Sequence, residues 1–227
     1  MMGDLAVLQD VLVYWPEIAR GLASTLMLSV IITLTGLIAG IAVFYLTLSS
    51  SDVCRRAVQG YISIFIGTPL IVFLFLLYYG LPQWGIKLTP LTVAVLGFTL
   101  NVAAYNARYM TTAYNGLDPS EIEAAKAQGF TSRQIFHLMT LPQVLRLSIP
   151  ALTNQAIQNL KDTSLVFLIQ YAEFFAQMQE VALRTFRFFD VYLLTGLVYF
   201  ILVSVLTNLA RRAEMFADLP PASRHNR

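Results

Sequence analysis

Charge is what this sequence has least of. Of its 227 residues only 12% are charged while 57% are apolar, against roughly 25% charged in a soluble domain. No residue ionisable at neutral pH occurs in 21–51, 57–86, 88–107 or 191–210. Each interval is long enough to cross a hydrocarbon core of ~30 Å, which takes about 20 helical residues. That excludes a water-soluble domain. Cysteine is nearly absent too, so the lone Cys54 excludes an intramolecular disulfide, and the two isolated histidines, His137 and His225, suggest no metal site. No G-x-x-x-x-G-K-[ST] loop is present, so any nucleotide phosphate must be bound by another chain. No Ser/His pair or paired carboxylate suggests an enzyme, and no nucleic-acid partner is expected. Asp4 and Asp10 stand where a cleaved leader would be basic.

What is there is span after span. A less regular fifth segment, 149–169, is interrupted only by Lys161 and Asp162. The expected fold is all-α, a single polytopic membrane domain over 1–227 with about five spans, near 22–48, 60–80, 91–112, 149–170 and 191–210. Nine basic residues fall on one side of these spans, among them Arg55, Arg56, Lys126 and Arg133. Four (Arg20, Lys87, Arg184 and Arg187) fall on the other, and Arg108 and Lys161 lie within spans. The richer side should be cytoplasmic, which puts the N-terminus outside and the C-terminus inside. Leu5, Leu8, Leu12, Trp15 and Ile18/Ala19 form a stripe expected to lie as an interfacial helix on the outer surface. The tail after Arg212 is expected to be disordered.

One stretch is out of character. Residues 121–143, EIEAAKAQGFTSRQIFHLMTLPQ, are polar and turn-punctuated, and they belong to the side read as cytoplasmic. Asp118-Pro119-Ser120-Glu121 reads as an N-cap, a first-turn proline and a capping-box carboxylate. Gly129 suits a left-handed helix end, Thr131 or Ser132 caps a second helix with Gln134 in the box position, and Pro142 should limit its length. Ala124, Ala125 and Ala127 leave the first helix thin on one side. The hairpin over about 118–142 is either a piece laid into another protein's groove or a loop helix packed on its own domain.

The residues of this hairpin resemble the EAA loop of ABC importer permeases, whose pattern is EAA-x3-G-x9-I-x-LP. Here it reads EAAKAQG over 123–129, nine residues, then MTLP, with Met139 in the isoleucine position. FIGTPLIVFLFLLYYGLP (65–82), LNVAAYNARYM (100–110), LPQVLRLSIPALTNQ (141–155), LKDTSLVFLI (160–169) and RTFRFFDVYLL (184–194) are similar to the permeases of polar-amino-acid uptake. The resemblance implies a type I ABC importer permease fold in a bacterial inner membrane, and half of a path completed by a second permease subunit, identical or homologous. It implies an ABC ATPase dimer that uses ATP and Mg, and an extracytoplasmic substrate-binding protein; this chain needs no cofactor. It also places Glu123, Ala124, Ala125 and Gly129 on the ATPase-coupling element. Departures from relatives alter the charge pattern: Ile66 where many have Arg, Arg108 where many have Glu, and Thr111-Thr112-Ala113 for Arg-Gly-Gly.

The spans also carry polar stripes. Asn101, Tyr105, Arg108 and Thr112 share one helical face. Gln155, Asn159 and Asp162 share another, with Asn154, Gln158 and Lys161 beside them and Thr163 following. A charge at the bilayer centre costs about 2.5–3.5 kcal/mol on insertion scales, so such groups face a bundle interior or cavity. Asn101, Tyr105, Arg108, Gln158, Asp162 and Thr163 are therefore expected to line the substrate path, with Arg108 meeting a carboxylate of the substrate or of Asp162. A substrate with an accessible anionic group would then be favoured. The alternatives are that Arg108 snorkels, and that Asp162 pairs with Lys161 or caps a broken helix. Gly36 and Gly40 read as a close helix contact, and Gly67-Thr68-Pro69 as a kink whose freed carbonyls need partners. Arg184 and Arg187 could touch a docking protein or lie in a solvated loop. The rival function is an ion-coupled secondary transporter using Arg108, Lys161 and Asp162 as a relay, although five spans without an internal repeat suit alternating access poorly.

Overall fold

A computed structural model of the protein describes the backbone of residues 13–216 and the side chains of residues 13–212. Helix α1 (Trp15–Thr47) is the first span, begun by Pro16 in its first turn, where a missing N–H costs nothing. It is one continuous helix, so Trp15, Ile18 and Ala19 belong to the span and not to a separate surface helix. The cause is packing: Ile18 is buried against Phe174 and Met178, which cover the apolar run down to its first turns. Leu5, Leu8 and Leu12 lie outside the described residues.

The second span is broken more sharply than a kink. α2 (Asp52–Gly67) and α3 (Leu70–Phe75) are separated at Thr68-Pro69, and the two halves bend by 100°. Pro69 has no N–H to give the carbonyl of Phe65 one turn earlier. Asn101, across on the third span, supplies the missing donor: its Nδ2 donates to Phe65 O at 3.0 Å. After α3 the helix widens into a π-turn over Leu76–Gly80 and closes with a 3-10 turn over Leu81–Trp84.

The third span, α4 (Pro90–Tyr114), is capped by the Thr89 side chain. The hairpin follows as α5 (Pro119–Ala127) and α6 (Ser132–Ile135). Pro142 does not end the second helix. A π-turn over Phe136–Thr140 leads directly into α7 (Leu141–Asp162), which closes in a 3-10 turn over Thr163–Ile169. Both π-turns precede a Leu-Pro pair, and in both the leucine N–H reaches back five residues, Leu81 to Leu76 O and Leu141 to Phe136 O. Widening the helix by one residue keeps the proline ring off the preceding turn. The result is a single 38-residue apolar helix from Ser132 to Ile169, roughly 55 Å long.

α8 (Phe174–Thr185) is short and amphipathic, and α9 (Phe188–Phe216) is the last span. Residues 213–216 of the tail are thus helical, and the remainder lies outside the described residues. Among the described residues four helices are long and apolar enough to cross a membrane, five if the bent pair is one span, as expected. α1 runs the length of α4. A Cβ on Gly36 would sit 2.5 Å from Val102 Cγ1, and one on Gly40 would sit 2.7 Å from Asn106 Cβ, so the two glycines permit the contact. Three apolar clusters stack along the bundle. One surrounds Ile18 and Phe174 at the α8 end. Leu28, Leu74 and Phe98 centre the middle one, and Phe44, Met110 and Phe136 the one at the hairpin end.

Candidate functional site

A cavity of about 670 Å³ opens where the second span breaks. Thr68 and Pro69 form one wall, Asn101, Tyr105 and Tyr109 of α4 a second, and Asn154, Gln155, Gln158 and Asp162 of α7 a third. The size is that of a small-molecule site. Its polar lining is connected: Tyr109 Oη donates to Gln155 Oε1 at 3.4 Å, Gln155 Nε2 to Asn159 Oδ1 at 3.0 Å, and Asn159 Nδ2 to Thr33 Oγ1 at 3.2 Å. Gln158 Nε2 donates to Asp162 Oδ1 at 2.7 Å. Asp162 is the one charged group among the described lining residues. The cavity therefore offers hydroxyls, amides of both polarities and one carboxylate.

The structure brings together Asn101, Tyr105, Gln158 and Asp162, and separates the rest of the expected path. Arg108 lines a different cavity with Gln59 and Ser63, so it does not meet Asp162. The helical period was sound, but α2 crosses the shared face of α4. Ile66 and Gly67 border the Asp162 cavity, whereas Gln59, Ile62 and Ser63 border the Arg108 cavity. Lys161 lines a third cavity with Ser164, Phe175 and Tyr192. Thr163 is fully buried, its Oγ1 donating to Leu160 O at 2.7 Å, and it lines none of these cavities. Among the described residues no ion pair links Arg108, Lys161 and Asp162. A relay through them is disfavoured, since each stands on its own cavity.

The hairpin is built by its caps. The Asp118 carboxylate accepts from Ser120 N at 2.9 Å, and that hydrogen bond holds its carboxyl below the ordinary range. Glu121 does not complete the expected capping box. Its Oε2 instead accepts from Gln143 Nε2 at 2.9 Å, tying α5 to the start of α7. Gly129 takes φ 84 and so turns the chain left-handed. Thr131, not Ser132, caps α6 in a full box with Gln134. Glu123, Ala124 and Gly129 are exposed, while Ala125 is buried. Ala125 thus faces its own chain, and the outward face is Glu123, Ala124 and Ala127, with the exposed apolar side chains of Phe130 and Leu138 nearby. At the opposite end of the bundle Arg184 pairs with Glu180 at 2.9 Å and lies over the Tyr14 ring.

One buried group escaped the sequence reading. Glu173 has no exposed surface and caps α8, accepting from Phe175 N at 2.9 Å and Ala176 N at 2.8 Å. Thr25 of α1 and Tyr199 of α9 also donate to its Oε2, at 3.1 and 3.2 Å. Burial pushes its carboxyl above the ordinary range, and the donors pull it partly back. Glutamate is not among the strong N-cap residues, and its partner Thr25 lies 148 residues away, so only a start of helix at Phe174 could have pointed to it.

Residues 32–213 match the family described as binding-protein-dependent transport system inner membrane component. PatM of Vibrio harveyi, a probable amino-acid ABC transporter permease protein, is 41% identical over 197 residues, covering 86% of this chain and 83% of its own. YxeN of Bacillus subtilis (strain 168), a probable amino-acid permease protein, is 36% identical over 205 residues, covering 88% and 92%. A chain from the crystal structure of an amino acid ABC transporter with histidines superposes with a TM-score of 0.83 at 28% identity, over 91% of this chain and 97% of that one.

Proposed function

We propose, for a chain that belongs to the family of binding-protein-dependent transport system inner membrane components, that its Asp162 cavity passes an amino acid or amino-acid-like solute. The chain is a multi-pass permease subunit of an ABC importer with the type I permease fold. Its cargo contacts and its partners are our reading. Two permease subunits, each with a cavity of this kind, enclose the path. A separate ABC ATPase dimer supplies ATP hydrolysis with Mg, a binding protein delivers solute from outside, and the hairpin faces the cytoplasm.

The observation that carries this reading is the helix from Ser132 to Ile169. One end is α6, joined through the Gly129 turn and the Glu121–Gln143 hydrogen bond to the α5 that presents Glu123 and Ala124; further along, Gln155, Gln158 and Asp162 enter the cavity. A push on the hairpin by a closing ATPase passes from α5 across that turn and hydrogen bond into one helix that reaches the cavity wall. In the cavity Asp162, steadied by Gln158, meets the ammonium group of the solute. Side-chain amides and the Tyr109 hydroxyl serve its carboxylate. Arg108 is not part of this reading, because among the described residues no cation lines this cavity.

The test is uptake by proteoliposomes holding this chain with its ATPase and binding protein. ATP-dependent uptake of an amino acid should fall sharply in Asp162→Asn at normal assembly. Undiminished uptake in that variant would remove Asp162 from the path. Uptake driven by an ion gradient without ATP would restore the secondary-transport reading.

A further inference from the structure

We propose that the Arg108 cavity is a second, separate binding site whose ligand is a phosphate oxyanion. The cavity measures about 570 Å³, and among the described residues Arg108 is the only charged one that lines it. In charge it is the opposite of the Asp162 cavity, which among the described residues is lined by one carboxylate and no cation. The other polar groups around Arg108 divide in two. Thr47, Thr111 and Thr112 have spent their hydroxyl protons on backbone carbonyls of their own helices. The amides of Gln59 and Asn115 and the hydroxyls of Ser63 and Tyr114 have no protein partner among the described residues. Four uncommitted donors and a guanidinium on the walls of one cavity, without a carboxylate, suit a tetrahedral oxyanion. The planar fork of arginine binds such a group in two parallel hydrogen bonds.

Position supplies the source of that oxyanion. The cavity lies where α1 ends, at Thr47 and Leu48, and where α4 ends, at Tyr114 and Asn115. Spanning helices end at the level of lipid phosphates. α2, which walls the cavity, exposes Val53 and Ile64 and carries Arg55 and Arg56, an amphipathic mix suited to that interface. Snorkelling alone would need neither a cavity nor waiting donors. A phospholipid head group and a free phosphate share the chemistry, and they are separable by experiment.

The assembled transporter, with its ATPase, is stripped of lipid in detergent. Binding of phosphatidylglycerol, inorganic phosphate and diacylglycerol is then counted by native mass spectrometry and equilibrium dialysis. The expected result is saturable phosphatidylglycerol binding that weakens about tenfold or more in Arg108→Gln and less in Arg108→Lys, with diacylglycerol bound poorly. Resistance of that binding to inorganic phosphate identifies the head group as the source; displacement by it, with saturable phosphate binding, identifies the free anion. If Arg108→Gln fails to assemble, the double variant Ser63→Ala, Asn115→Ala carries the same expectation. Equal binding by wild type and variants, or diacylglycerol bound as well as phosphatidylglycerol, overturns the site.

Discussion

Glu173 shows what a single acid can hold together. Two backbone N–H groups, Thr25 and Tyr199 all donate to its carboxylate oxygens. Removing it strands buried donors, each costing about 1–3 kcal/mol. Glu173→Ala should therefore lower the melting temperature of the detergent-solubilised protein clearly, by differential scanning fluorimetry, and Glu173→Gln should lower it less. The pH dependence has a definite sign. Because burial lifts this carboxyl, the folded chain holds the proton to higher pH than the unfolded chain does. Its contribution is complete below the ordinary value of 4.5 and is lost as pH rises through the raised one. Wild type should lose ground against Glu173→Gln as pH climbs from there to neutrality; a gap that stays constant removes the titration. Asn101 teaches a related lesson. Its place on a polar face was legible, but its bond to Phe65 O was not, because nothing in 101 itself says which carbonyl proline will orphan. Asn101→Leu should destabilise the protein by about 1–3 kcal/mol through that carbonyl, read as a lower melting temperature; an unchanged one would show that the carbonyl finds another donor.

At the scale of elements, legibility followed locality. The hairpin caps at Asp118, Gly129 and Thr131 were readable because each is decided within a few residues. The bend at Pro69 was readable as a break, but its 100° angle depends on α4, which fills the gap with Asn101. The crossing of α2 over the Arg108 face left no periodic signal at all, so three ionisable residues that looked like neighbours lie on three cavities. Gly129→Val isolates the hairpin turn. Among the described residues nothing lies within 4 Å of an added Cβ, so the cost is backbone strain, about 1–2 kcal/mol. The variant should insert normally yet copurify with less ATPase and transport more slowly; full copurification and uptake would detach the turn from coupling. Gly40→Ala is a packing test instead. Its Cβ would reach 2.7 Å from Asn106 Cβ, and forcing α1 off α4 should cost about 1–3 kcal/mol, measurable as a lower melting temperature with the hairpin unaffected.

For the whole molecule, orientation rests on the distribution of basic residues. A cysteine introduced at Gln128, with Cys54 replaced, should react with impermeant maleimide only in inverted vesicles. Labelling in intact cells would reverse the topology and leave the hairpin facing the wrong compartment for an ATPase.

The π-turn at Phe136–Thr140 has a consequence for how such chains can be recombined. It holds one residue more than an α-turn, and a π-turn takes up that residue as a local bulge, so the helix on either side keeps nearly the phase of an unbroken one. Its five residues also belong to the fixed spacing between Gly129 and the Leu141-Pro142 pair. The regular turns over 144–149 have no such buffer: one residue added or removed there is about 100° of rotation about the axis, and it would swing the hairpin a quarter-turn against the Gln155–Asp162 stripe. A hairpin grafted from a relative therefore keeps its aim only if the number of residues between the π-turn and the stripe is preserved.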